Sequence, residues 1–85
     1  MYSVEYQTSK AKLLDSLPQN FREPFFQTVE KLRIDALTSS KALKGRLKGY
    51  RSARYGSRRI IFRLDQKLQI VIICWENTRG KVYKS

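Results

Sequence analysis

Histidine is absent from this chain of 85 residues. Its absence removes the usual acid/base pair of metal-free ribonucleases and most zinc chemistry. Cysteine occurs once, as Cys74, so an internal disulfide is excluded and a reducing compartment is expected. Carboxylates are scarce in the second half: residues 41–85 hold only Asp65 and Glu76, too few for the acidic cluster of a two-metal nuclease. The glycines form no phosphate loop, because Gly45 and Gly49 lack the required spacing. The longest apolar run, Ile70 to Trp75, is far too short to span a bilayer, and the polar opening residues contain no apolar signal segment. These absences lead us to expect one small cytoplasmic domain over residues 1–85, with no metal, cofactor or membrane.

What is present is positive charge in one place. Residues 1–40 balance five Lys/Arg against five Asp/Glu. Residues 41–85 carry thirteen Lys/Arg against two carboxylates, which is the whole net charge of +11. Self-repulsion on that scale destabilises a compact state, so its confinement to one half points to a polyanionic partner. Nucleic acid is the first candidate and an anionic membrane surface the second. A merely solubilising charge would explain the total but not its confinement.

Hydrophobic spacing outlines the fold. Tyr2 to Tyr6 alternates with period two and predicts a short strand. Thr8 or Ser9 can cap a following helix bearing Ala11, Leu14 and Leu17 on one face, with Leu13 beside them. Pro18 ends that helix or opens the next. Phe21, Phe25, Val29, Leu32 and Ala36 then recur at helical spacing, a stripe that reads as core. This second helix starts either at an Asn20/Glu23 capping pair or at Pro24. Residues 38–49 read as a polar, basic connector. Strands are expected at about 50–55, 58–64 and 68–75, joined by a type II′ turn at Gly56-Ser57 and a three-residue turn at Asp65-Gln66-Lys67. The class is α+β, with a two-helix hairpin covering one face of a small antiparallel sheet.

The first turn fixes register and therefore which side chains share a face. Tyr55 should pair with Arg58, Arg54 with Arg59, and Ala53 with Ile60. One face then carries Ala53, Tyr55, Ile60, Phe62 and Leu64 towards the helices. The other carries Tyr50, Ser52, Arg54, Arg59, Ile61 and Arg63. The three-residue turn would set Phe62 against Ile70 and add Gln69, Val71, Ile73 and Trp75 to the arginine face. Like charges opposite one another cost roughly 0.2–1 kcal/mol, so Arg54 facing Arg59 is unfavourable until an anion arrives. Flanking aromatics suit single-stranded RNA, whose bases stack on rings while guanidiniums grip phosphates. With no external nucleophile in view, the attacking group would be the ribose 2′-OH. Arginines would stabilise the charge growing on phosphorus, and a tyrosine among cations could take the proton.

The stretch from Leu43 to Phe62 resembles the RelE/ParE superfamily of bacterial and archaeal toxins. Arg54-Tyr55-Gly56-Ser57-Arg58-Arg59-Ile60-Ile61-Phe62 is similar to its Arg-x-Gly-x-x-Arg hairpin, and Arg79-Gly80-Lys81-Val82-Tyr83 to its closing Arg-x-x-Val-Tyr. The likeness extends to the helix pair and Val4-Glu5-Tyr6. The resemblance implies a β-α-α-β-β-β toxin neutralised by a cognate antitoxin. In the RelE branch it implies ribosome-dependent endoribonuclease cleavage of mRNA. By position, Arg59 and Arg79 match arginines that stabilise the transition state and leaving group. Tyr83 matches the tail tyrosine near the 2′-OH, and Arg54 falls close to a basic position on the preceding strand. Lys44, Arg46, Lys48, Tyr50, Arg51, Arg63, Trp75 and Lys81 are the accompanying candidates for RNA contact. The chain departs from the pattern at Thr78, where many members have histidine, and at Ser52, near a second basic position. The general base therefore stays open. A ParE-like gyrase binder and a plain basic RNA-binding module are the alternatives.

Overall fold

A computed structural model describes residues 1–78. Its elements in chain order are β1 (Ser3–Tyr6), α1 (Lys10–Ser16), a 3-10 turn (Gln19–Phe21), α2 (Arg22–Asp35), β2 (Lys41–Ala42), a second 3-10 turn (Gly45–Leu47), β3 (Arg51–Tyr55), β4 (Arg58–Asp65) and β5 (Ile70–Thr78). The five strands form one sheet in the order β1-β5-β4-β3-β2. The fold is α+β, but the sheet is mixed: β1 runs parallel to β5, pairing Val4 with Val71 and Tyr6 with Ile73.

The Ser9 hydroxyl accepts from the Lys12 N–H at 3.3 Å and so caps α1. Leu13 and Leu17 are buried and Ala11 is exposed, which centres the apolar face on Leu13 rather than Ala11. On α2, Phe25, Val29, Leu32 and Ala36 are buried and Phe21 packs at the margin of the same cluster. Neither expected start is used. The 3-10 turn ahead of α2 bonds the Phe21 N–H to the Pro18 carbonyl at 2.9 Å and delivers the chain to Arg22 without a side-chain cap. Pro24 then sits in the first turn, where its missing N–H would have had no helical partner anyway.

Both helices pack on one face of the sheet through a core that includes Leu13, Leu17, Phe25, Leu32, Ala53, Ile60, Phe62, Val71 and Ile73. Each of the larger side chains among them contributes about 1.5–3 kcal/mol of burial. The β3–β4 register matches the expectation pair for pair, from Ser52 opposite Ile61 to Tyr55 opposite Arg58. Gly56 has φ of 61° in its turn and Ser57 does not, as a type II′ turn requires.

The β4–β5 register does not match. Asp65 stays in the strand opposite Ile70, its side chain accepts from the Leu68 N–H at 2.9 Å, and Gln69 takes a left-handed φ of 59°. The loop is thereby widened to residues 66–69 and the pairing shifts by an odd number. Val71 and Ile73 consequently belong to the core, not to the arginine face. A bulge between Ile61 and Phe62 then shifts the register again: Phe62 faces Ile73, but Ile61 faces Trp75, leaving Cys74 as the extra residue.

Candidate nucleic-acid interface

Alternation on β3 and β4 sends Ser52, Arg54, Arg59, Ile61 and Arg63 to the face away from the helices. Arg54 and Arg59 are direct cross-strand partners, and both line an open cleft of about 670 Å³. The cleft continues over Ser52 to the segment after α2 and onto β2, where Ser40 and Lys41 form its far wall. Arg59 Nη1 donates to the Ser52 hydroxyl at 3.3 Å, which steadies the guanidinium from the neighbouring strand. Ser52 is a buried polar side chain, and this contact gives it a partner. Arg54 is exposed, and it also borders a smaller depression of about 390 Å³ beside Thr28 and Lys31 of α2. Two guanidiniums thus line one open concavity together with Lys41, which concentrates positive charge there.

The remaining candidates divide. Tyr50 and Trp75 meet on the arginine face with ring centroids 5.4 Å apart and planes inclined at 56°. Arg63 is exposed opposite Ile72 and lies beside the Cys74 thiol. Burial pushes that thiol above its ordinary value, with Arg63 opposing, which favours the protonated form of this buried side chain. Lys44, Arg46 and Lys48 are exposed along the connection from β2 to β3. Arg51 is separated from this group. It shares the helix-side face with Phe62, and its Nε donates to the Ser40 hydroxyl at 2.8 Å. Its Nη2 donates to the carbonyls of Leu37 and Ser40, both at 3.2 Å. Arg51 thus ties down the turn that follows α2 through two of its carbonyls and holds the cleft wall at Ser40 from behind. Arg79, Lys81 and Tyr83 lie outside the described residues.

Two features escaped the sequence reading. One is the contact of Ser52 with Arg59; the register had already put Ser52 on the arginine face, diagonal to Arg59, without a partner being foreseen. The other is a buried ion pair. Arg58 Nε and Nη2 bond both oxygens of Glu76, the second at 2.9 Å, and the Tyr55 hydroxyl donates to the same carboxylate. The Glu76 side chain is 1% exposed and that of Arg58 12%. Arg58 also lies over the Phe21 ring at 5.4 Å. Burial, and after it the bond to Glu76, pushes the Tyr55 phenol far above its ordinary value, with Arg58 partly opposing. Tyr55 therefore keeps its proton and is no general base. Among the described residues no group of acidic, thiol or imidazole side chains is placed to hold a metal ion, and no helix is long and apolar enough to cross a membrane.

No protein-family model and no curated protein matches the chain. Solved structures do. A chain of the toxin–antitoxin complex RelBE2 from Mycobacterium tuberculosis is 28% identical with a TM-score of 0.81, covering 92% of this chain and 98% of that one. A chain of the archaeal RelE–RelB complex from Pyrococcus horikoshii is 24% identical with a TM-score of 0.75, covering 94% and 97%. YafQ from E. coli is 16% identical with a TM-score of 0.68, covering 98% and 99%. The structural neighbours are RelE toxins and YafQ, and the fold is RelE-like.

Proposed function

We propose that this RelE-like chain is the toxin of a toxin–antitoxin pair and acts as a metal-independent endoribonuclease on ribosome-bound mRNA. The observation that carries the reading is the cleft in which Arg54 and Arg59 meet across adjacent strands, steadied by Ser52. Membership of toxin–antitoxin complexes among the similar structures supports both the toxin role and a cognate antitoxin as partner.

In this mechanism the ribose 2′-oxygen attacks the adjacent phosphorus and the 5′-oxygen of the next nucleotide leaves. One proton is lost from the 2′-OH and one is delivered to the leaving oxygen, giving a 2′,3′-cyclic phosphate and a 5′-OH. Arg59 and Arg54 stabilise the charge that develops on the phosphoryl oxygens, an effect worth about 10²–10³-fold per well-placed donor. The hairpin-and-tail resemblance assigns Arg79 a role at the leaving group and Tyr83 a role at the 2′-OH. Tyr55 is excluded from proton transfer by its bond to Glu76. A set with no histidine makes a slow catalyst on free RNA, and a ribosome holding the message in line would supply the missing orientation.

Primer extension on a translated message in cells expressing the chain tests the reading. Discrete cuts within codons, lost in Arg59→Ala, are expected. Intact message with loss of DNA supercoiling would overturn the nuclease in favour of gyrase poisoning.

A further inference from the structure

The bulge on β5 has an effect on side chains that the arginine cleft does not use. Below it, Phe62 faces Ile73 and Leu64 faces Val71; above it, Ile61 faces Trp75 and Ile60 faces Glu76. Were Cys74 paired with Ile61 in an unbulged ladder, Trp75 would stand opposite Ile60, on the helix side beside Tyr55. The bulge instead turns Trp75 onto the arginine face, against Tyr50. A bulge beside a site commonly re-aims one side chain in this way.

We propose that Tyr50 and Trp75 form a stacking platform for a nucleobase of single-stranded RNA, next to the phosphate held by Arg54 and Arg59. Both rings are only partly buried and neither belongs to the helix-side core; Arg63, two residues along β4 from the Ile61 that faces Trp75, and Lys48, two residues before Tyr50, are both exposed. A large aromatic surface left among cations fits a ligand with an apolar π-face on an anionic backbone. RNA satisfies both requirements; a lipid headgroup or an acidic peptide satisfies only the charge. Stacking accepts any base but favours those with the larger ring surface, so the platform also gives the cleft a preference for purines at that nucleotide. The choice of RNA as the polyanion rests on the ribonuclease reading, but the stacking itself requires no cleavage.

Trp75 is the chain's single tryptophan, so intrinsic fluorescence reports on the platform directly. The full-length chain is titrated with a short oligonucleotide whose 2′-positions are deoxy, which cannot be cut, and with the same backbone made abasic. Saturable quenching is expected with the base-bearing strand, and binding about tenfold weaker with the abasic one. Tyr50→Leu, which keeps the reporter, should weaken the base-bearing strand by a similar factor and leave the abasic strand unchanged. Equal affinity for both strands, or binding without quenching, would overturn the platform. Quenching without any cut in the primer-extension experiment would keep the platform and remove the nuclease. Antitoxin binding by Tyr50→Leu confirms that the variant is folded.

Discussion

Arg58 and Arg59 stand side by side on β4, and the pleat sends one to each face of the sheet. Arg58 enters the helix side, where it is nearly sealed and its charge is matched by the buried carboxylate of Glu76. Arg59 enters the open cleft, where it meets a hydroxyl and faces another arginine. The same side chain thus does two different jobs one residue apart. On the dry face a guanidinium must be neutralised within the fold, because an unmatched buried charge is intolerable. On the open face the guanidinium lines a cleft that it shares with Arg54 and Lys41.

This contrast can be broken from either side. The largest effect should come from Arg58→Ala, which strands Glu76 without its counter-ion and costs about 3–5 kcal/mol in urea unfolding. Loss of less than 1 kcal/mol would mean that the helix-side pair is not structural. Arg59→Ala should lower mRNA cleavage about 10²–10³-fold while losing less than half the stability that Arg58→Ala loses. Equal stability losses in the two variants would erase the distinction. Tyr55→Phe removes one donor from Glu76 and should cost about 1–2 kcal/mol of stability with no change in which sites are cut.

The Tyr55 phenol also gives the dry face a pH signature. Its pKa is raised in the fold, so its contribution is complete below the unfolded-state value of about 10. Above that pH the unfolded chain loses the phenolic proton first, and stability falls. Unfolding midpoints measured from pH 8 to pH 11 should decline more steeply in the parent than in Tyr55→Phe. The smallest effect belongs to Ser52→Ala, which removes one long hydrogen bond to Arg59. A several-fold drop in cleavage rate with an unaltered urea midpoint is expected.

How much of this was legible depended on where the chain carries its own geometric instructions. Gly56-Ser57 permits one kind of two-residue turn, so the β3–β4 register and the meeting of Arg54 with Arg59 followed from the sequence alone. The Phe21-to-Ala36 stripe likewise marked the buried face of α2. The second hairpin carried no such instruction. Ile70 to Cys74 is apolar at every position and has no alternation to read. Its register is set by the Asp65 side chain capturing the Leu68 N–H, which a composition-based reading of the turn does not reveal. Trp75 reached the arginine face as expected, but only because two register shifts combined to restore its side. Glu76 escaped notice as a partner for Arg58 because that meeting depends on both shifts. β2 was missed because two exposed residues, Lys41 and Ala42, show no hydrophobic period. The expected contributions of Arg79, Lys81 and Tyr83 fall outside the described residues.

Cys74, the additional residue of the bulge, has a consequence for which genetic changes the chain can absorb. Replacing it by Ala, Ser or Val alters a few atoms in a buried niche and should be well tolerated. Excising its codon would leave Trp75 directly after Ile73, so a regular ladder would keep the indole opposite Ile61 and the carboxylate that holds Arg58 opposite Ile60. A position permissive to replacement should here be permissive to loss as well, whereas excising a paired neighbour such as Ile73 would cost the core a side chain.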